Sequence, residues 1–158
     1  MPIDQHEFRA ALAKFASGVT VVTTKDAEGR FHGITVSAFS SVSLDPPLVM
    51  ICIEKTAGSH DALIGSATFV VNVLSQSQAA VSERFATQIQ DKFRGVEFNP
   101  GIEGVPVLAG CLVNLECRVQ NFYDGGDHSL FVGRVEKATI MDGSPLVYFH
   151  GNYRALTD

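Results

Sequence analysis

The sequence has 158 residues, 46% of them hydrophobic and 18% charged, with a formal net charge of −5 at pH 7. This size and balance are typical of one globular domain and argue against a disordered chain. No run of lysines and arginines could follow a phosphate backbone, so a nucleic-acid partner is not expected. No apolar run approaches the roughly 20 residues of a membrane-spanning helix, so no membrane association is expected either.

The first predicted element is a helix over residues 4–17. Asp4 followed three residues later by Glu7 is a capping-box pattern, which marks the start of a helix. The apolar side chains of this segment fall on one helical face: Phe8, Leu12 and Phe15. The segment lacks the charged-then-apolar layout of a signal peptide.

Strands dominate the rest of the chain. β-branched and apolar runs predict them at residues 19–24, 34–44, 48–53, 68–74, 111–122, 129–140 and 146–149. Short helices fit residues 59–64, starting at a Ser59 cap, and 77–85. Residues 87–104 have no periodic pattern, and a loop this long in a small domain is usually functional or mobile.

Six or seven mostly meandering strands with a few short helices predict a mainly β fold, a closed or split β-barrel, in one domain over residues 1–158. The three cysteines lie among apolar strand residues, which indicates reduced thiols in a cytoplasmic protein. Neither they nor the five histidines have metal-ligand spacing. Dinucleotide, P-loop and nucleophile-elbow motifs are not found. Asp127, His128 and Ser129 look like a hydrolytic triad, but consecutive strand residues point to opposite faces.

The stretch GITVSAFSSVSLDPPL at residues 33–48 interleaves small hydroxyl side chains with strand-forming residues. On an extended strand Thr35 and Ser37 share one face, which could bind a flat polar ligand along its edge. A solvated outer sheet face explains the same hydroxyls without any ligand. Two residue types that suit an anion, hydroxyls and a lysine, then precede a predicted helix start: Lys55, Thr56 and Ser59. Together the two segments fit a ligand with a flat head and a phosphate tail.

Five segments in chain order resemble the short-chain flavin reductase family, the NAD(P)H:flavin oxidoreductases of two-component flavin monooxygenases. They are FASGVTVVTT, GITVSAFSSVSLDPPLV, FVVNVL, DKF and GGDHSLFVGRV, and the resemblance covers residues 8–153. It implies a Greek-key split β-barrel that forms a homodimer, with FAD or FMN in a groove near the subunit interface. It also implies hydride transfer from NADH or NADPH to the flavin, and supply of the reduced flavin to a separate oxygenase component.

The resemblance implies three sets of cofactor-binding residues. The first lines the flavin ring and ribityl chain: Thr35, Val36, Ser37, Ala38, Ser40 and Ser41. The second holds the flavin phosphate: Lys55, Thr56 and Ser59. The third borders the same groove from the long loop and the C-terminal region: Lys92, Phe93 and Tyr153. For Phe93, a core anchor that holds the loop is an equal alternative.

By the same resemblance, His128 is the functional side chain of the nicotinamide site, where it could bond the carboxamide, and Asp127 fixes the preceding turn. Three alternatives stay open. The chain could be a non-catalytic flavin-binding split barrel, another oxidoreductase on the same fold, or a small-ligand carrier. Flavin turnover with NADH discriminates between them.

Overall fold

The computed structural model describes residues 2–158. Its helices are α1 (Gln5–Leu12), α2 (Gly58–Gly65) and α3 (Ala79–Phe85), with two 3₁₀ turns at Gln76–Gln78 and Ile102–Gly104. Its strands are β1 (Ser17–Gly18), β2 (Thr20–Lys25), β3 (Phe31–Val36), β4 (Phe39–Ser43), β5 (Leu48–Glu54), β6 (Thr68–Val73), β7 (Phe98–Pro100), β8 (Pro106–Leu108), β9 (Val113–Gly125), β10 (His128–Ile140), β11 (Val147–Phe149) and β12 (Asn152–Arg154). The predicted mainly β fold with a few short helices is confirmed.

Seven strands form the main sheet, in the order β3-β2-β6-β9-β10-β5-β4, and every neighbouring pair is antiparallel. Side chains alternate between its two faces, so that Ile51 and Ile53 of β5 point inward while their neighbours point out. They pack with Phe69 and Phe131, both fully buried, in the main core. No helix within residues 2–158 has the length and apolar character needed to cross a membrane.

The two edge strands of this sheet, β3 and β4, are consecutive in the chain. Ser37 and Ala38 connect them, and Cys52 N on β5 donates to Ala38 O at 3.1 Å. The sheet therefore curls around its core and stays split between these two strands. The predicted single strand over residues 34–44 is wrong, because at this connection the chain stops pairing with β2 and starts pairing with β5.

Helix α1 is shorter than predicted and has no buried residue. Its start agrees with the expected cap, since Glu7 N donates to the Asp4 carboxylate at 2.8 Å. It ends before Ser17, which pairs with Tyr148 of β11 instead. The apolar stripe of Phe8, Leu12 and Phe15 is exposed, Phe15 by 81%.

Two further boundaries differ from the sequence prediction. Helix α2 begins at Gly58 with Ala57 as its N-cap, so the predicted Ser59 cap is wrong and Ser59 lies inside the first turn. The predicted loop at residues 87–104 contains strand β7, which pairs with β8, and a 3₁₀ turn. Strands β1, β7, β8 and β12 have only two or three residues each, too few for an alternating pattern to reveal.

Candidate functional site

A groove of about 890 Å³ lies between strand β3, the start of α2 and the segment that follows α3. Residues 29–35, 56–59 and 85–93 line it, together with Glu54. It brings together predicted site residues from three separate segments: Thr35, Thr56, Ser59, Lys92 and Phe93. The volume lies within the range of small-molecule and cofactor sites.

One wall of the groove is β3, the edge strand of the main sheet. Because β3 pairs only with β2, the backbone groups on its other side have no strand partner, although Gly33 O accepts a hydrogen bond from Lys92. The Thr35 hydroxyl is not among these groups, since it donates to Ser82 O at 2.6 Å. The hydroxyls of Ser82 and Tyr153 share a hydrogen bond of 2.7 Å. Thr35 and Tyr153 thus hold α3 and the C-terminal strand in place, and only Thr35 reaches the groove.

Residues 36–41 of the hydroxyl-rich segment lie in several different places. Val36 is buried in the core, and its carbonyl accepts a hydrogen bond from the Thr20 hydroxyl. Ser37 and Ala38 form the exposed link between the edge strands. Ser40 and Ser41 lie exposed on β4, at the opposite edge of the sheet from β3. Within one chain these residues do not line the groove.

The start of α2 presents unpaired hydrogen-bond donors to the groove. Ala57 provides no side-chain cap, so the first backbone N–H groups of the helix have no partner within it. Ser59 is 5% exposed, lines the groove, and its hydroxyl bonds to no other residue within 2–158. Thr56 lies beside it on the rim. This arrangement can accept an anion, because donors and the helix dipole point the same way.

Lys92 adds a positive charge to the groove. Its ammonium group donates to Gly33 O at 3.0 Å and to Phe85 O at 3.1 Å. Within residues 2–158 it forms no ion pair, and burial lowers its pKa. A half-buried cation held only by carbonyl dipoles leaves a net positive charge beside any bound molecule.

Lys55, in contrast, is turned away from the groove. Its ammonium group pairs with Asp124 on β9 and lowers the pKa of that carboxyl. Its backbone N–H donates to Asp127 O at 2.9 Å, which fixes the β9–β10 turn against the end of β5. Of the three residues predicted to hold phosphate, Thr56 and Ser59 therefore line the groove and Lys55 does not.

His128 opens strand β10, which is paired with β5. It pairs with Glu54 on β5, and Glu54 lines the groove. Its Nδ1 lies 2.6 Å from the Asp127 carboxylate, and this hydrogen bond lowers the Asp127 pKa. Nε2 has no partner within residues 2–158. Asp127 thus orients an imidazole whose second nitrogen can meet a ligand.

Ser129 points the other way, into the protein, where its hydroxyl lies 2.8 Å from His60 Nε2. Ser129 therefore diverges from His128 as expected, but Asp127 and His128 meet in a hydrogen bond, so the expectation that all three diverge is wrong for that pair. His60 did not emerge from the sequence, because nothing local to α2 indicates that its side chain meets a residue 69 positions away. No group of three or more histidine, cysteine, aspartate or glutamate side chains in residues 2–158 could hold a metal ion.

The segment after α3 is anchored at its far end. Arg84 donates to Asp91 O at 2.8 Å and also to the carbonyl of Lys92. The Phe93 ring packs edge-on against Phe85 at 5.1 Å and Phe31 at 5.7 Å. Phe93 therefore acts as the loop anchor that was one of its two predicted roles, although it also lines the groove. The sequence alone did not reveal Arg84, since a basic residue in a last helical turn is common.

Residues 12–157 match the family model described as "Flavin reductase like domain". The chain belongs to the flavin reductase-like family. It is 44% identical over 150 residues to the NADH-dependent flavin reductase of a Rhodococcus species, covering 94% of this chain and 84% of that one. It is 37% identical to the probable flavin reductase of Rhizobium meliloti, of which it spans about half, 48%.

Solved structures agree with this assignment. The NADH:FAD oxidoreductase SgcE6 of Streptomyces globisporus, in complex with NAD and FAD fragments, has a TM-score of 0.93 at 37% identity, covering 98% of this chain and 93% of that one. The flavin reductase PheA2 has a TM-score of 0.89 at 38% identity, covering 99% and 100%. The predicted family, split-barrel fold and class of activity are confirmed.

Proposed function

We propose that the protein is an NADH-dependent flavin reductase that binds FAD or FMN in the groove described above and supplies the reduced flavin to a separate monooxygenase. The names of its relatives include an NADH-dependent flavin reductase and the reductase component of 4-nitrophenol 4-monooxygenase from Rhodococcus opacus. NADH is proposed over NADPH because no arginine cluster marks a pocket for a 2′-phosphate. The reduced cysteines support a cytoplasmic location.

The main structural support for the proposal is that the start of α2 and the edge of β3 line the same groove. The unpaired N–H groups of the first turn and the Ser59 hydroxyl would hold the flavin phosphate, with Thr56 on the rim. The open backbone edge of β3, up to Val36 and the Ser37–Ala38 link, would meet the polar edge of the flavin ring. The Lys92 ammonium group lies beside Gly33 of β3 in the groove lining and favours a ligand that carries negative charge.

The cofactors would supply the redox chemistry, a hydride passing from the nicotinamide to the flavin. The protein has to bring the two flat rings into contact, which is a proximity effect. His128 would donate or accept a hydrogen bond at the nicotinamide carboxamide through Nε2. Asp127 would keep the imidazole in one orientation through Nδ1. Ser40, Ser41, Lys55 and Tyr153 lie outside the groove lining, so their predicted roles would need the partner subunit or a second part of the ligand.

We also propose that the protein is a homodimer. Helix α1 buries none of its residues within its own chain, and isolated helices of this length are marginal in water. The exposed stripe of Phe8, Leu12 and Phe15 would be covered by a second copy.

Anaerobic bleaching of flavin absorbance tests the proposed activity. NADH or NADPH is added to catalytic amounts of protein with FAD, FMN or riboflavin, for wild type, His128→Ala and the control His6→Ala on α1. We expect many equivalents of flavin to be reduced by wild type, with a raised KM for NADH in His128→Ala and wild-type behaviour in the control. Reduction of only one equivalent would indicate a flavoprotein that passes its electrons elsewhere. No reduction of any flavin would reject the proposal.

A further inference from the structure

A buried hydrogen bond connects helix α2, which carries Ser59, with strand β10, which carries His128. His60, in the first turn of α2, is 9% exposed, and Ser129, the second residue of β10, is 5% exposed. His60 Nε2 and the Ser129 hydroxyl oxygen are 2.8 Å apart. A hydroxyl can donate or accept, so either neutral tautomer of His60 sustains the bond.

Each of these two residues directly follows a residue of the proposed site. His60 directly follows Ser59, whose hydroxyl lines the groove, and Ser129 directly follows His128. Alternation along β10 sends His128 outward and Ser129 inward. The hydrogen bond between His60 and Ser129 therefore connects the backbone next to Ser59 with the backbone next to His128.

Little else fixes α2 against β10. Within residues 2–158 the His60–Ser129 bond is the side-chain hydrogen bond that joins α2 to β10. The His60 ring also packs edge-on against Phe131 of β10, at 5.9 Å. At the other end of α2, the hydroxyl of the C-cap residue Ser66 donates to Thr68 O of β6 at 2.9 Å and accepts from Thr68 N at 3.2 Å. Leu63 of α2 is buried in the main core, so packing also holds the helix, and His60 is the residue of its first turn that bonds to β10.

We infer that His60 and Ser129 are a positioning pair that sets the distance between the flavin phosphate at the start of α2 and the nicotinamide at His128. The inference rests on the proposed function. A flavin held by its phosphate moves with α2, so a loosened α2 shifts the ring relative to the nicotinamide. Hydride transfer is sensitive to such a shift, because reactivity falls steeply when bound rings lose contact geometry.

The test compares a flavin that has a phosphate with one that does not. Anaerobic stopped-flow reduction of FMN and of riboflavin at saturating NADH is measured for wild type, Ser129→Ala and Ser129→Thr, which keeps the hydroxyl. Loss of one neutral hydrogen bond is expected to slow FMN reduction in Ser129→Ala about three- to tenfold. Riboflavin, which α2 does not hold, should be reduced at the wild-type rate, and Ser129→Thr should restore the FMN rate.

Ser66→Ala is the control, because it removes both hydrogen bonds of a hydroxyl at the far end of the same helix, one to Thr68 O and one from Thr68 N. It should leave both rates unchanged. A readout without ligand comes from amide hydrogen exchange, in which residues 60–65 should exchange faster in Ser129→Ala while β10 keeps its protection.

The outcomes separate the two ideas. If wild type reduces no flavin, the proposed function fails and the positioning role fails with it. If wild type reduces FMN but Ser129→Ala slows FMN and riboflavin equally, or slows neither, the positioning role alone is rejected. Unchanged exchange of α2 in Ser129→Ala also rejects it, whichever flavins are substrates.

Discussion

Gly33 on β3 is the position where the groove tolerates least additional volume. A Cβ at this residue would lie 2.6 and 2.7 Å from two ring carbons of Phe85 and 3.2 Å from the Phe93 ring. Phe85 is fully buried, so its ring cannot turn aside and β3 or the segment after α3 has to move. Overpacking of this kind costs about 1–3 kcal/mol, and the loss of chain entropy in the unfolded state offsets about 0.4–1 kcal/mol of that cost.

For Gly33→Ala we therefore expect a net loss of about 1–2 kcal/mol in the free energy of unfolding, measured by urea denaturation. Flavin affinity should fall as well, because Lys92 donates to the Gly33 carbonyl and would move with it. Gly65→Ala is the control: it lies at the end of α2 with no atom within 4 Å of its added Cβ. It should be neutral or slightly stabilising. If Gly33→Ala matched it in stability and flavin affinity, the close packing of β3 against Phe85 would not limit this site.

Three further predictions concern charge and assembly. Lys92→Met should raise the flavin Kd about tenfold in a fluorescence titration. The net change in stability should be small, because the loss of two hydrogen bonds to carbonyls is opposed by removal of a cation whose pKa is lowered by burial. An unchanged Kd would exclude Lys92 from binding. A hydrogen bond from His32 holds the Asp26 pKa below its ordinary value. Asp26 therefore stabilises the fold above about pH 4, and this contribution is lost as the pH falls through its folded-state pKa. Asp26→Asn should thus flatten the fall in Tm on acidification, and parallel Tm curves would contradict this. Phe15→Asp should convert a dimer to monomers in sedimentation with an unchanged circular dichroism spectrum, whereas an intact dimer would exclude α1 from the interface.

Regular elements could be predicted from the sequence where several alternating residues repeat the same signal. Strands β9 and β10 are 13 residues long, and the predicted segments overlap most of each. The prediction of a single strand over residues 34–44 was wrong, because it relied on the same alternation that correctly predicts long strands. Its alternation continues through Ser37 and Ala38, and only the tertiary pairing with β2 on one side and β5 on the other shows that two strands meet there.

The candidate site was predictable in part, because its residues belong to short contiguous segments. Thr56, Ser59 and Lys92 lie in segments that the sequence singled out, and the fold brings these segments to one groove. Lys55 looks equivalent to Thr56 in the sequence. The fold separates them, because Asp124 comes beside Lys55 only through the pairing of β9, β10 and β5. The roles of Arg84 and His60 could not be predicted from the sequence either. The partner of His60 is 69 positions away, and Arg84 donates to a backbone carbonyl, which any residue could provide.

Hydrogen-bond partners separate the scaffold from the binding groups. The hydroxyls of Thr35 and Tyr153, the Lys55 ammonium group and His128 Nδ1 all have partners within the chain, so they hold elements in place. Among the polar groups of residues 2–158 without such partners are two at the proposed ligand positions: the Ser59 hydroxyl with the N–H groups beside it, and His128 Nε2. Polar groups left unpaired near a concave surface lose free energy unless water or a ligand meets them. These two points are therefore where a ligand gains most from binding. The His60–Ser129 hydrogen bond joins the residues that follow Ser59 and His128. We therefore expect the distance between Ser59 and His128 to be set by the fold and not by the ligand.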